Sequence, residues 1–146
     1  MTSPLYNQDI LRLATSLSAS GRLDHPDATS DRRSPTCGSR VIVDLCLDDS
    51  GRVSELGLDV KACALGQASA ALLARHATGR TAAELIEAAS SLRDFLSSAD
   101  EATAPDFWPG IAIFEAARAY PARHPSILLA FEAAGEAAAF AAEKRS

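Results

Sequence analysis

The sequence predicts an α+β fold: a small antiparallel β-sheet with alanine-rich helices packed on one of its faces. Three observations predict it. Val41, Val43, Leu45 and Leu47 alternate with Ile42, Asp44, Cys46 and Asp48, the period of a half-buried strand. Asp48-Asp49-Ser50-Gly51 is a turn, and Leu56, Leu58 and Val60 after it share one face of a returning strand, which closes a hairpin. After Gly66 the chain is rich in alanine and punctuated by helix start and stop signals, and alanine faces let helices approach closely.

In chain order, Leu5 to Leu17 reads as a helix: Leu5, Ile10, Leu13 and Leu17 recur at near-helical spacing, and Gly21 ends it. Residues Ser20 to Thr36 are rich in Ser, Asp, Arg, Pro and Gly with little to bury, so a mobile connector is expected there. The hairpin strands follow at Arg40–Leu47 and Arg52–Val60, with Val53 outside the main register. Lys61–Ala64 either extends the hairpin or supplies a short third strand. A helix is expected at about Gln67–Ala77, stopped by Gly79. Thr81-Ala82-Ala83-Glu84 is a capping box that opens a helix to about Ser97, with Leu85, Ile86, Ala89, Leu92, Phe95 and Leu96 on its buried stripe. Ser98–Phe107 is a polar connector. Pro109 stands at the start of a helix carrying Ile111, Phe114 and Ala117, which Pro121 interrupts. The last helix begins near Pro125 and runs to about Lys144, with Leu128, Phe131 and Ala134 toward the core.

A chain of 146 residues fits one domain, taken as residues 1–146. Its formal charge of -5 and pI near 5.1, without a Lys/Arg cluster, argue against nucleic acid as a partner. The N-terminal residues lack a basic segment followed by an apolar run, and no stretch reads as the roughly 20 apolar residues that span a bilayer. A cytoplasmic protein without a membrane partner is therefore expected. In a reducing compartment three cysteines do not read as a disulfide framework, which leaves metal or thiol chemistry for them.

Two of the three stand where folding would reunite them. Cys37 lies in the loop entering the first hairpin strand, between Pro35 and Gly38, and Cys63 lies where the second strand gives way to a helix, beside the positive end of its dipole. Two soft sulfur donors on one small domain suggest a metal, a cluster or sulfur transfer. Cys46 falls in mid-strand on the outer face of the sheet and is read as a small structural residue. His25 is read as a solvated loop histidine. A cysteine-nucleophile enzyme would need a base in hydrogen-bond reach, and His25, His76 and His124 form no motif for one, so no enzyme is expected.

The chain resembles the U-type iron-sulfur cluster assembly scaffolds, the family of IscU, SufU and the N-terminal domain of NifU. The resemblance rests on PTCGSRV at Pro35–Val41, the Asp-rich turn followed by ACALGQASA at Ala62–Ala70, GRTAAEL at Gly79–Leu85, PARHPSILLAFEA at Pro121–Ala133 and the opening LYNQDIL at Leu5–Leu11. It implies a scaffold that takes persulfide sulfur from a cysteine desulfurase, holds a transient [2Fe-2S] cluster or zinc, and hands its cargo to acceptor or chaperone proteins. In the family three cysteines and an aspartate gather at one exposed end of the domain. Carried over, Cys37 and Cys63 match the first and second cysteines. The aspartate position is Ser39, the third cysteine falls at Ser126, and a histidine position falls at Pro125. A neutral serine hydroxyl is a poor substitute for a thiolate or carboxylate, and clusters are held by four sulfur or nitrogen donors. The missing ligands could come from His124, from a partner or second subunit, or from small thiols. The resemblance implies Cys37, Ser39, Cys63 and Ser126 in one exposed patch. It leaves two functions in competition: a scaffold working through Cys37 and Cys63, or a relative that keeps the fold as an interaction module without a cluster.

Overall fold

The computed structural model describes residues 7–17, 21–35, 38–98 and 107–145. Helix α1, Gln8–Thr15, starts at Asn7, whose side-chain oxygen accepts a hydrogen bond from the Ile10 N–H at 2.9 Å. Ile10, Leu13 and Ala14 form its buried face against α2, Ala64–His76. Residues 5 and 6 of the longer helix expected from sequence lie outside the described residues.

The segment expected to be a mobile connector contains a strand. β1, Ala28–Arg33, pairs antiparallel with β2, Arg40–Leu47, which pairs in turn with β3, Val53–Lys61, in the order β1-β2-β3. Hydrophobicity could not reveal β1 because its inward positions are small or paired. Ala28 and Ser30 are buried, and Ser30 and Arg32 both bind Glu136 of the last helix. The third strand thus precedes the hairpin, and Lys61 ends β3 without a further strand at residues 61–64.

Val53 is buried although it is out of step with Leu56 and Leu58. The register explains it: Cys46 faces Glu55 but Leu47 faces Val53, so Ser54 is the extra residue of a bulge that returns Val53 to the core side. The other face of β2 is not open either. Residues 21–27 strap across it, with the Leu58 N–H donating to the Gly21 carbonyl at 3.1 Å and the Asp27 carboxylate accepting from the Leu47 N–H at 2.8 Å. Asp44 is buried beneath this strap.

α2 begins three residues earlier than the spacing predicts, because Cys63 itself is the N-cap and Ala64 and Leu65 are already helical. α3, Ala82–Ser97, opens with the expected capping box: the Glu84 N–H donates to the Thr81 hydroxyl and the Thr81 N–H to the Glu84 carboxylate. Ile86, expected on its buried stripe, is 46% exposed. Ile111–Ala119 is a 3₁₀ run rather than an α-helix, and Ile111, Phe114 and Ala117, three residues apart, are the positions such a helix stacks on one side. A single short turn, Pro121–Arg123, leads into α4, His124–Arg145.

α4 lies against β1, β2, α2 and α3, and buries Ile127, Ala130, Phe131, Ala133, Ala134, Ala137, Ala138 and Ala141. Contrary to the expectation from sequence, Pro121–Lys144 is long and apolar enough to cross a membrane, and 67% of its most apolar window is buried inside the protein. Its apolarity serves the core, in which the sheet and the helices share one continuous hydrophobic cluster.

Candidate metal and sulfur site

The sheet ends in a cross-strand row: Arg33 of β1 faces Arg40 of β2, which faces Lys61 of β3. Two chain segments leave from that end. One is the β1–β2 connection, where the Ser34 N–H donates to the Ser39 carbonyl at 2.9 Å and the Gly38 N–H to the Ser34 carbonyl at 3.2 Å. Gly38 has φ +73°, a conformation that favours glycine. Cys37 lies outside the described residues, between Pro35 and Gly38 in the sequence.

The other segment carries Cys63, two residues after Lys61. Cys63 is half-buried, its backbone is extended, and its thiol makes no capping hydrogen bond to α2. The turn is held by main-chain and amide bonds instead: the Gln67 N–H donates to the Cys63 carbonyl at 2.9 Å, and the Gln67 amide to the Ala62 carbonyl at 3.0 Å. The sulfur at this helix start is therefore not consumed by the helix.

The third contributor is the first turn of α4. The Ser69 hydroxyl of α2 donates to the Ile127 carbonyl at 2.6 Å, and a Cβ on Gly66 would lie 3.3 Å from the Ser126 carbonyl oxygen. The starts of α2 and α4 are thus in direct contact. His124 Nε2 is 2.8 Å from the Ala117 carbonyl. A carbonyl only accepts, so Nε2 carries the proton of this contact.

One expectation needs correcting. Ser39 and Ser126, expected in an exposed patch, are 4% and 3% exposed. Both are short polar side chains at tight junctions, the β-turn and the α2–α4 contact, and both are engaged in interactions there. Cys46 belongs elsewhere: it lies six residues along β2 from Arg40, about 20 Å at the rise of a strand. Its thiol donates to the His25 carbonyl at 3.5 Å, and burial pushes its pKa up. His25 is exposed on the strap.

Among the described residues no group of three or more His, Cys, Asp or Glu side chains is gathered to hold a metal. Of the residues expected to hold a metal, this end presents the half-buried Cys63 thiol, with Cys37 adjoining in sequence, while Ser39 and Ser126 are buried and already engaged. That set falls short of a closed four-ligand centre. The basic row beside it escaped the sequence reading. Arg33 comes into line with Arg40 and Lys61 only through β1, and the strand pairing was the signal needed.

The matching family model is the NifU-like N terminal domain, over residues 5–126. The crystal structure of a nitrogen-fixing NifU-like protein (N-terminal) from Brucella abortus is 38% identical and superposes with a TM-score of 0.87 over 97% of each chain. A scaffold candidate for iron-sulfur cluster assembly in the SUF system of the thermophile Fervidobacterium islandicum AW-1 shares the fold at 17% identity and a TM-score of 0.84, covering 94% of this chain and 99% of its own. A comparison with curated proteins gives no match.

Proposed function

From its place in the NifU-like N-terminal domain family, to which this chain belongs, we propose that the protein is an iron-sulfur cluster assembly scaffold whose cargo passes through Cys37 and Cys63. It acts as a carrier and not as an enzyme, in a reducing compartment such as the cytoplasm. Its partners are a cysteine desulfurase upstream and cluster acceptors or chaperones downstream. The observation that carries this reading is the position of Cys63. Its thiol stands unbonded to the helix it caps, at the sheet end from which the Cys37 loop also departs.

The chemistry asked of it is thiol exchange. The Cys63 thiolate attacks the terminal sulfur of the donor's persulfide, a new S–S bond forms on Cys63, the donor's S–S bond breaks, and the donor cysteine leaves as thiolate. No net oxidant or reductant is required. Iron or a [2Fe-2S] cluster is cargo on this route, and zinc is a competing ion for the same sulfurs. Two thiolates, with His124 as a third donor, hold such cargo loosely, which suits transfer better than storage.

A second reading is supported by Ser39 and Ser126: with hydroxyls at two ligand positions, the protein would serve as an interaction module that carries no cluster. Anaerobic purification, reconstitution with iron and sulfide, and metal analysis separate the two. The scaffold reading expects bound iron or zinc and metal-protected alkylation of Cys37 and Cys63. Stoichiometry near zero selects the interaction module.

The Ser39→Asp, Ser126→Cys double variant sharpens the test. Burying a carboxylate without a partner is costly, so this variant should be less stable than wild type without metal. Zinc at 100 times its Kd should restore about 2.7 kcal/mol, read as a rise in Tm. A folded double variant with no zinc-dependent shift would show that these positions do not converge on one ion.

A further inference from the structure

Arg33, Arg40 and Lys61 stand directly opposite one another across the three strands at the end that carries the candidate site. Residues so paired share a face. Val41 and Val43 of β2 point into the core, so the Arg40 row points to the other side, away from α4. Like charges at opposed positions repel. The middle one makes two hydrogen bonds from the Arg40 guanidinium to Asp31, at 2.9 and 2.6 Å, and the charge of Arg33 also acts on that carboxylate. Arg33 and Lys61 are exposed, and neither forms an ion pair among the described residues. Two residues along, the same face holds Asp31, Ile42 and Asp59, so that face grades from acidic to basic toward the end that leads to Cys63.

With strands about 4.8 Å apart, the backbones of Arg33 and Lys61 lie about 10 Å from each other. Arg33 is the last residue of β1 before the Cys37 loop, and Lys61 the last of β3 before Cys63. Both outer side chains are exposed, in a chain that is acidic overall. An acidic protein segment laid across the strand ends would neutralise both outer cations while its neighbouring residues reached Cys63. Three cations in an acidic chain are a small footprint for a nucleic acid backbone.

Resting on the sulfur-accepting reading, we infer that Arg33, Arg40 and Lys61 form the docking surface for an acidic segment of the protein that delivers sulfur to Cys63. Charges at the rim of an interface act mainly through the association rate and its salt dependence.

The test is transfer of ³⁵S from a cysteine desulfurase of the same genome, charged with labelled cysteine, to the wild type and to the Arg33→Glu, Lys61→Glu variant, whose fold is checked by circular dichroism. The charge-reversed protein is expected to accept sulfur about tenfold more slowly at low salt, and the wild-type rate to fall severalfold with added salt as the charges are screened. An Arg33→Lys, Lys61→Arg exchange should keep the wild-type rate. A charge-reversed rate within about twofold of wild type overturns the docking assignment and leaves the scaffold function standing. Wild-type protein labelled neither by the desulfurase nor by a small-molecule persulfide would refute the sulfur-accepting reading itself, and the docking surface with it. Retention of a labelled single-stranded oligonucleotide that depends on Arg33 and Lys61, with unchanged sulfur transfer, would reassign the row and also overturn the proposal.

Discussion

Asp44 sits fully buried in mid-β2, where its carboxylate accepts hydrogen bonds from the Arg22 guanidinium at 2.6 Å, the Leu23 N–H at 3.0 Å and the Thr29 hydroxyl at 2.5 Å. Burial pushes its pKa up, but these donors and the charge of Arg22 outweigh it and hold the group below the usual carboxylate range. A depressed folded-state pKa contributes stability that is complete above the unfolded value of about 3.9 and is lost as pH falls through the folded value. Asp44→Asn should therefore cost about 2 kcal/mol at neutral pH, and the gap between variant and wild type should close below about pH 4. Urea midpoints at pH 7, 5, 4 and 3 check it, and a gap independent of pH would deny that Asp44 is ionised under the strap. From sequence Asp44 was a polar residue on an outer face. The alternation of β2 fixes which residues are opposite the core, but the strap that covers them comes from residues 21–27, which carry no hydrophobic signature. Cys63 was legible because a cysteine before a helix start is a local pattern. The burial of Ser39 and Ser126 was not, since it depends on how separate segments meet.

At the scale of elements, the helix starts were legible wherever local chemistry writes them, as in the Thr81–Glu84 box. Strand β1 and the bulge at Ser54 were not, because sheet bonding uses the backbone, which every residue supplies. The 3₁₀ run shows the same limit: Ile111, Phe114 and Ala117 announced a buried stripe, but a spacing of three fits both helix types over one turn. The junction of α2 with α4 is where an element-scale change should reach the site. A Cβ at Gly66 would lie 2.6 Å from the Ala62 Cβ as well as near the Ser126 carbonyl, so the turn bearing Cys63 must shift to admit it. Gly66→Ala is expected to cost about 1–3 kcal/mol, as overpacking does, and to change the alkylation rate of Cys63 followed by peptide mass mapping. Unaltered stability and reactivity would mean that the turn yields freely.

For the molecule as a whole, Trp108 reports on the packing of the helical layer. It is fully buried, its indole N–H donates to the Leu72 carbonyl at 3.1 Å, the Arg80 guanidinium lies 4.2 Å over its ring, and Phe131 of α4 meets it edge-on. If residues 1–146 are one cooperative domain, denaturation followed by Trp108 fluorescence and by far-ultraviolet circular dichroism should give superimposable transitions. Separate midpoints would divide the helical layer from the sheet. The shared core makes a single transition the expected result, because α4 closes on β1, β2, α2 and α3 together. That arrangement sets the timing of folding during synthesis. The segment on which the other elements converge is made after all of them, so Val43, Leu45 and Leu73 must wait on the ribosome with their apolar sides uncovered until α4 emerges. A nascent chain in that interval presents apolar surface that α4 later covers.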